Sequence, residues 1–395
     1  MPLPERIFKI KGVIQHYSWG GYEFIPELLG IKNEEGKPYA EYWMGAHPNH
    51  PAITEHGISL IELISKNAEF ILGETVVDKF NSLPYLFKVL DVRQMLSIQV
   101  HPSKQSAEKG FEEEEQKGIP LNAKNRNYKD KNHKPELMVA LSDFWLLHGF
   151  KKEEKLIHTL DVNPELQFLK DLFGNGNYKR LYEGIMVMGQ EEVNKILKPL
   201  LERIVPLYKS NVLKKDEEHF WAARAAVNFC KAGDYDRGIF SIYFFNLLHL
   251  QKGEGIFQAS GLPHAYLEGQ NAEVMANSDN VLRAGLTDKY IDVNEVMKHL
   301  RFEPTVPAIL KPASDQKIFQ SPAEEFELHQ YILKSDENLS VTTNGPEILF
   351  ILDGRLTLNE FEVQKGESFF VGSNTKIFIK AIRETVLFRV VVPGV

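Results

Sequence analysis

Short apolar runs separated by Gly, Pro and Asn dominate the first 150 residues, and this pattern favours β structure. Residues 86–90 and 96–100 each form an apolar run typical of a buried strand. Four consecutive glutamates at 112–115 follow in a polar stretch. We interpret this acidic run as a solvated turn or helix face, with a mobile lid as the alternative.

The periodicity becomes helical between residues 151 and 234. Val193, Leu197, Leu200 and Ile204 recur at the spacing of an amphipathic helix. Pro199 lies inside that pattern, so we expect the helix to kink or break there. The segment 220–226 also indicates a helix. We interpret the apolar stripe as core rather than as a partner-binding face.

β signals return at Ile239 and continue through the C-terminal third. Residues 348–352 and 355–358 predict two strands joined by Asp353-Gly354, a strong type I′ hairpin signal. The tetrapeptide Gln-Lys-Gly-Glu at 251–254 recurs at 364–367, each time before an apolar run. Two related β units, or chance convergence on a strand-turn-strand pattern, would both account for this similarity.

The predicted fold class is mainly β with a helical insertion, built from cupin-type jelly-roll barrels. The length of 395 residues allows two or three domains. We assign residues 1–150 and 235–310 to a catalytic barrel, 151–234 to a helical insertion domain, and 311–395 to a C-terminal barrel. In the repeat, His264 aligns with Ile377, so we expect the C-terminal barrel to lack metal.

Composition narrows the function classes. The chain is 43% hydrophobic and 25% charged, as in soluble globular proteins. A net charge of −8 argues against nonspecific nucleic-acid binding. Cys230 is the single cysteine, which excludes an internal disulfide and thiolate zinc fingers. With no signal-like apolar core at the N-terminus and no run of membrane-spanning length, we expect a cytoplasmic protein.

Four dispersed residues, Gln99, His101, Glu136 and His264, form a candidate metal site. Alternate residues of a strand share one face, so Gln99 and His101 are expected to point the same way. Two imidazoles, a carboxylate and an amide oxygen suit Zn²⁺ or a similar divalent ion.

An arginine downstream of His264 stands in an apolar context. Arg283 lies between Leu282 and Ala284-Gly285, so it is a candidate for burial. A buried arginine needs a charged partner or a ligand. A structural salt bridge to Glu273 or Asp279 is therefore one interpretation, and a bound anionic substrate is the other.

Several motifs together resemble the signatures of type I mannose-6-phosphate isomerases, members of the cupin superfamily. They keep the order of that family over roughly residues 13–302. The motifs are Gln15–Gly20, Ala40–Gly45, Gln99–Pro102, His133–Glu136, Pro263–Tyr266 and Ser278–Thr287. The resemblance implies an aldose–ketose isomerase that interconverts mannose 6-phosphate and fructose 6-phosphate and serves carbohydrate metabolism, including GDP-mannose biosynthesis.

The resemblance also implies roles for individual residues. It makes Gln99, His101, Glu136 and His264 the ligands of one zinc ion per chain. The implied catalytic residues are Arg283, Glu273 and Lys134, and the implied substrate-binding residues are Lys88, Ser97, Lys289, Trp19, Tyr266 and Asp279. Lys88, Ser97 and Lys289 are those suited to the substrate phosphate.

The chemistry of isomerisation agrees with these roles. Moving a carbonyl between C1 and C2 requires removal of a proton beside it and gives a cis-enediol intermediate. Arg283 stays protonated, so it suits stabilisation of the enediolate rather than base catalysis. The base for C1 and C2 stays open among Glu273, His101, Lys134 and Asp279.

Two other function classes remain as alternatives. A cupin dioxygenase would hold Fe(II) with positions open to O₂, but the glutamine ligand and the lysines argue against it. A sugar-phosphate-binding protein without catalysis is the second, and the intact ligand set with Arg283 argues against it. The expected partner is a small sugar phosphate, with no nucleic acid or membrane. A monomer is expected, and a homodimer is left open.

Overall fold

The computed structural model describes residues 5–231, 233–313 and 315–395. Antiparallel strands make up its two sheets. The strands are β1 (Ile7–Lys11), β2 (Val13–Gln15), β3 (Glu41–Gly45), β4 (Ile53–Thr54), β5 (Tyr85–Val92), β6 (Ile98–Val100), β7 (Glu136–Ala140), β8 (Phe144–Phe150), β9 (Phe245–Leu250), β10 (Gly255–Gln258), β11 (His264–Ala276), β12 (Leu282–Gly285), β13 (Gln316–Phe319), β14 (Glu327–Leu333), β15 (Asn338–Thr342), β16 (Glu347–Leu358), β17 (Phe361–Gln364), β18 (Ser368–Val371) and β19 (Lys376–Val391).

Helices are concentrated between β8 and β9. The helices are α1 (Phe24–Leu29), α2 (Leu60–Lys66), α3 (Ala68–Leu72), α4 (Glu74–Phe80), α5 (Lys104–Gln116), α6 (Glu153–Asp161), α7 (Leu169–Phe173), α8 (Tyr178–Val187), α9 (Gln190–Lys209), α10 (Glu218–Phe229), α11 (Gly238–Phe244) and α12 (Val293–His299), with a 3₁₀ turn at Pro164–Leu166. None of the helices in the described residues combines the length and hydropathy needed to cross a bilayer.

The long strand β11 organises the sheet that carries the candidate site. The order in this sheet is β10-β7-β11-β5-β3-β2, and β11 also pairs with β6 and β8 near its start. Gly269 has a φ of +129° there, and a Cβ at that position would meet the Asp143 carbonyl at 2.5 Å. Glycine is therefore required where β11 passes from one group of partner strands to the other.

The second sheet has the order β13-β14-β19-β16-β18-β1-β4. Its strand β1, from the N-terminus, pairs with β18 near the C-terminus, which the sequence pattern did not predict. One apolar core contains buried residues of both sheets, among them Phe87 of β5 and Phe350 of β16. The proposed division into three domains stays a prediction.

The helical segment has the predicted core. Val193, Leu197, Leu200 and Ile204 are fully buried, as expected for the apolar stripe of α9. Of the two expectations at Pro199, a break is wrong, since α9 continues through it, and a kink stays a prediction. Pro199 and the residue four positions earlier are both exposed, so water can satisfy the carbonyl that loses its hydrogen bond.

Two segments predicted as β or irregular are helical. Five helices lie between residues 5 and 150, and Gly238–Phe244 forms α11 where β structure was expected. Every residue of α11 is buried, so its sequence lacks the polar positions that would reveal helical periodicity. The acidic run 112–115 lies on α5 with three exposed glutamates, which confirms a solvated helix face there.

The predicted hairpin at Asp353-Gly354 is wrong. β16 runs unbroken from Glu347 to Leu358, with register shifts against β19 around Asp353. Gly354 has a φ of +104°, and a Cβ there would lie 2.3 Å from the Thr385 hydroxyl. Gly354 therefore allows a β-bulge and the close approach of β19. A bulge and a tight turn both favour glycine, so the sequence alone does not distinguish them.

The internal repeat extends to the local geometry of both turns. Gln251 and Gln364 each donate from the backbone N–H to the glutamate three residues on, at 2.9 Å in both turns. The glycines have φ values of +86° and +83°. Each turn leads directly into a strand, β10 or β18. The matching geometry favours two related β units over chance similarity.

Candidate active site

One row of side chains crosses four strands at the centre of the site. His264 of β11 lies opposite His148 of β8 and opposite Gln99 of β6, and Gln99 lies opposite Arg283 of β12. Residues opposite one another in antiparallel strands share a face of the sheet. The row therefore brings together two predicted metal ligands and the predicted catalytic arginine.

A second row places acidic and basic groups on the neighbouring strands. Glu273 of β11 lies opposite Lys88 of β5, and Lys88 lies opposite Trp43 of β3. Glu136 of β7 belongs to the adjacent row on this face, two residues from the position opposite Glu273. Since β11 carries both His264 and Glu273, this single strand connects the candidate metal ligands with the charged cavity.

His101, Glu136 and His264 converge as a buried triad. The Nε2 atoms of His101 and His264 lie 3.5 and 3.3 Å from the two Glu136 carboxylate oxygens. Both imidazoles are fully buried, and Glu136 is 2% exposed. Among the described residues, no hydrogen-bond partner reaches either Nε2 atom or Glu136 Oε2. Three buried polar atoms that converge without hydrogen-bond partners are the donor set that a metal ion would satisfy.

The distances within the triad fit a small divalent cation. Nitrogen and oxygen ligands about 2.0–2.2 Å from a tetrahedral zinc lie roughly 3.3–3.6 Å from one another. The observed separations of 3.3 and 3.5 Å have this size. Gln99 lies opposite His264 and can add an amide oxygen to these ligands. The residues present therefore fit the metal that the sequence predicts.

Backbone carbonyls orient both imidazoles. The Nδ1 atom of His101 donates to the carbonyl of Asn280 at 2.8 Å, and that of His264 to the carbonyl of Leu262 at 2.9 Å. With Nδ1 occupied, each ring presents Nε2 to the triad. The Asn280 side chain is itself held by the loop at Asp130, accepting from the Lys129 N–H at 2.7 Å.

The surroundings of the triad set the protonation of Glu136 and His101. Burial alone would raise the pKa of Glu136, but the neighbouring Lys134 ammonium and His101 hold it well below its usual range. Lys134 Nζ lies 3.3 Å from Glu136 Oε1. Burial lowers the pKa of His101 to about 4, against the opposing pull of Glu136. A carboxylate beside the neutral imidazole of His101 is a protonation state that suits metal binding.

A cavity of about 410 Å³ opens beside Glu136. It brings together eleven of the thirteen predicted site residues, and His101 and His264 join it through their contacts with Glu136. The lining residues from the predicted set are Trp19, Lys88, Ser97, Gln99, Lys134, Glu136, Tyr266, Glu273, Asp279, Arg283 and Lys289. The volume is that of a small-molecule site.

Glu273 is the carboxyl group in this cavity whose ionisation is most strongly perturbed towards neutral pH. Burial, together with the charge of Glu136, raises its pKa to about 7, although Lys88 acts in the opposite direction. The hydroxyl of Tyr266 donates to Glu273 Oε2 at 2.7 Å, and Lys88 Nζ lies 3.6 Å from Glu273 Oε1. A buried carboxyl with a pKa near neutrality can both accept and return a proton.

Lys88 is charged in spite of its burial. Burial alone would lower its pKa, but the carboxylates of Glu41, at 3.4 Å, and Glu273 raise it above the usual lysine range. Its ammonium also lies 4.8 Å from the ring centre of Trp43. The predicted phosphate ligand therefore already contacts two carboxylates, with which a phosphate would compete.

Arg283 has no structural ion pair within the described residues. The two proposed partners are engaged elsewhere, since Glu273 contacts Lys88 and Asp279 accepts from His47 at 3.2 Å. Burial lowers the pKa of Arg283, yet a guanidinium stays protonated. The salt-bridge interpretation is therefore wrong for these partners, and Arg283 lines the cavity that a ligand would enter.

Sequence reasoning missed several residues of the site. Glu41 and Trp43 lie in a motif of the family, but no role was assigned to either, and the Trp43 indole donates to Glu41. Asp130 was also missed, although its carboxylate accepts from the backbone of Asp279 at 2.7 Å. No sequence signal distinguishes such an aspartate from an ordinary loop residue, because its partners lie some 150 positions away.

Comparison with known proteins identifies the family. Residues 7–153 match the model of the phosphomannose isomerase type I catalytic domain. A mannose-6-phosphate isomerase from Escherichia coli (strain K12) is 35% identical over 382 residues, which cover 93% of this chain and 95% of that protein. The chain belongs to the mannose-6-phosphate isomerase family. The Homo sapiens mannose-6-phosphate isomerase is 32% identical, with 97% of this chain and 98% of that protein covered.

Solved structures of this family share the fold. A crystal structure of mannose 6-phosphate isomerase from Salmonella typhimurium, bound to fructose 6-phosphate and zinc, has a TM-score of 0.85 and 34% identity. The match covers 98% of this chain and 99% of that one. A zinc-bound structure of a mannose 6-phosphate isomerase matches with the same TM-score at 33% identity. The predicted fold class, mainly β of the cupin type with a helical segment, is confirmed.

Proposed function

We propose that this protein is a zinc-dependent isomerase that interconverts mannose 6-phosphate and fructose 6-phosphate. The observation that carries the proposal is that the buried His101–Glu136–His264 triad adjoins a cavity lined by three lysines and an arginine, in a member of this family. Gln99, His101, Glu136 and His264 would hold one zinc ion, which when bound would supply positive charge for the oxygens of the sugar.

Glu273 is the proposed acid–base residue for the transfer between C1 and C2. Removal of the proton beside the carbonyl gives a cis-enediolate. A proton then passes from the hydroxyl oxygen of this intermediate to the former carbonyl oxygen, and the same group returns its proton to the neighbouring carbon. A carboxyl with a pKa of about 7 suits both steps. A divalent cation at the neighbouring ligands would lower this pKa and favour the base form. Lys134, at the cavity wall, is the proposed acid for opening the closed sugar ring.

Arg283 is proposed to stabilise negative charge on the enediolate oxygens. Arg283 lines the cavity, and its guanidinium keeps its charge despite partial burial. It lies opposite Gln99 in the central row, so it would flank the substrate on the metal side. The guanidinium cannot act as the base, because it holds its proton at all relevant pH values.

The phosphate group is proposed to bind at Lys289 and Ser97. Both residues line the cavity and offer an ammonium and a hydroxyl donor. Lys88 is also proposed to bind the phosphate, which would compete there with the carboxylates of Glu41 and Glu273. Trp19, Tyr266 and Asp279 would contact the rest of the sugar phosphate.

Three further features belong to the proposal. We propose a cytoplasmic monomer, with a small sugar phosphate rather than a nucleic acid or a membrane as its partner. We also propose that residues 1–150 and 235–310 form the catalytic domain, 151–234 the helical domain and 311–395 the C-terminal domain. Limited proteolysis followed by mass spectrometry would test these boundaries.

A coupled assay tests the proposed function against its alternatives. Purified protein is given mannose 6-phosphate, and fructose 6-phosphate is measured before chelation, after chelation and after zinc is restored. Conversion that disappears with chelation and returns with zinc supports the isomerase. Binding without conversion by zinc-loaded protein would favour a sugar-phosphate binder, and iron-dependent O₂ consumption would favour a dioxygenase.

A further inference from the structure

Gln258 is a buried glutamine next to the candidate metal centre. It is fully buried on β10, directly opposite Glu136 of β7, so the two side chains start from the same face of the sheet. Within the described part of the chain, neither atom of its amide has a hydrogen-bond partner. A buried amide without partners is unfavourable, so a polar neighbour is needed to explain it.

Tyr266 is such a neighbour. Its hydroxyl is buried and donates its only hydrogen to Glu273 Oε2 at 2.7 Å. The hydroxyl oxygen can therefore only accept a further hydrogen bond. Burial, Glu273 and Glu136 raise the pKa of Tyr266, and the adjacent Gln258 side chain opposes that rise. The amide of Gln258 thus offers the donor that the Tyr266 oxygen lacks.

We propose that Gln258 is a positioning residue that donates from Nε2 to the Tyr266 hydroxyl and thereby fixes the Tyr266–Glu273 hydrogen bond. A small rotation of the terminal amide, which is a soft torsion, completes this contact. The proposal rests on the proposed function, in which Glu273 transfers the proton. The cavity lining includes Tyr266 and Glu273 but not Gln258, so Gln258 acts through the tyrosine.

The consequence concerns the direction in which Glu273 faces. A hydroxyl held on both sides cannot turn away from Glu273 Oε2. The other oxygen, Oε1, then stays on the side of Lys88, whose Nζ is 3.6 Å away. Without Gln258 the Tyr266 hydroxyl can rotate, and the carboxylate samples orientations that do not suit proton transfer.

A double-mutant cycle in zinc-loaded protein tests this inference. Gln258→Leu removes the amide with little change of volume, and we expect kcat to fall about tenfold while KM and zinc content stay unchanged. In a Tyr266→Phe background the same substitution should change kcat by less than about twofold, because the hydroxyl is gone. Gln330→Leu is the matched control. Gln330 is a buried glutamine of β14 with an unpartnered Oε1 among the described residues, and this change should leave kcat unchanged.

Several outcomes would overturn the inference. These are an equal loss of kcat in both backgrounds, a loss expressed only in KM, loss of zinc, or unchanged kcat in Gln258→Leu. Gln258→Met serves the same cycle if the leucine variant does not fold. Thermal unfolding of the same four proteins separates this inference from the proposed function. These are the wild type, the two single variants and the double variant. If the wild type fails to isomerise, the melting temperatures still test the Gln258–Tyr266 contact. A shift in the double variant equal to the sum of the two single shifts would refute the contact, and a smaller shift would support it.

Discussion

Replacement of Glu273 by glutamine isolates the proposed proton transfer. Glu273→Gln keeps the size of the side chain and an acceptor for the Tyr266 hydroxyl, but it removes the base. General acid–base catalysis contributes about 10²–10⁴ to rate, so the barrier should rise by roughly 3–5 kcal/mol. We expect kcat for mannose 6-phosphate to fall by that factor, with zinc content unchanged and KM within a few-fold of the wild type.

The same substitution has an opposite effect on stability. A carboxyl whose pKa is 4.5 when unfolded and about 7 when folded carries a cost of roughly 3 kcal/mol once it is ionised in the folded protein. The folded state holds this proton longer than the unfolded state, so the stability contributed by Glu273 falls as pH rises from 4.5 to 7. In metal-free protein, Glu273→Gln should therefore melt progressively higher than the wild type between pH 5 and pH 7.5.

Glu41→Gln is the matched control for this prediction. Glu41 lies 3.4 Å from Lys88 and lines the same cavity. A much smaller loss of kcat is expected, because Glu41 shares the lysine but not the proposed proton. If Glu273→Gln keeps more than about a tenth of wild-type kcat, the assignment of Glu273 as the acid–base residue is refuted. Equal losses in the two variants would instead point to charge balance at Lys88.

Three further predictions concern the metal, the bulge and the C-terminal sheet. His264→Ala should lose both zinc and turnover, whereas Arg283→Ala should keep zinc and lose most turnover. Metal analysis together with the coupled assay checks both variants. Retained zinc in His264→Ala would show that His264 is not a metal ligand. Gly354→Ala should cost roughly 1–3 kcal/mol in denaturant unfolding, because the φ of +104° and a close threonine hydroxyl oppose a Cβ; an unchanged midpoint would contradict this. Glu347→Ala should cost about 3–5 kcal/mol in the same measurement. Buried Glu347 binds the mostly buried Arg389 guanidinium at 2.5 Å, and the substitution leaves that charge without its partner; a loss below about 1 kcal/mol would refute this.

The sequence predicted which residues would lie together better than it predicted the secondary structure. Ligand chemistry depends on residue type, so His101, Glu136 and His264 could be recognised before their convergence was known. Family motifs supplied the cationic residues that periodicity alone could not. The contacts of Asn280 and Gln258 could not be predicted from the sequence, because each joins segments that are far apart along the chain.

The errors in secondary structure have a common origin. Asp353-Gly354 carries the composition of a tight turn, but the long partner strand β19 uses the same glycine for a bulge. At Pro199, burial of the apolar stripe of α9 outweighs one lost hydrogen bond. Residues 238–244 are buried on all sides, so their sequence shows no alternation of apolar and polar positions that would indicate a helix. In each case tertiary contacts override a local signal.

Titration of metal-free protein with zinc tests the central claim most directly. Turnover of mannose 6-phosphate to fructose 6-phosphate is measured after each addition to chelated, dialysed protein. The account predicts that activity rises in proportion to zinc and reaches its plateau at one zinc per chain. Full activity in protein shown by metal analysis to be metal-free, or zinc binding at that stoichiometry with no conversion, would contradict it.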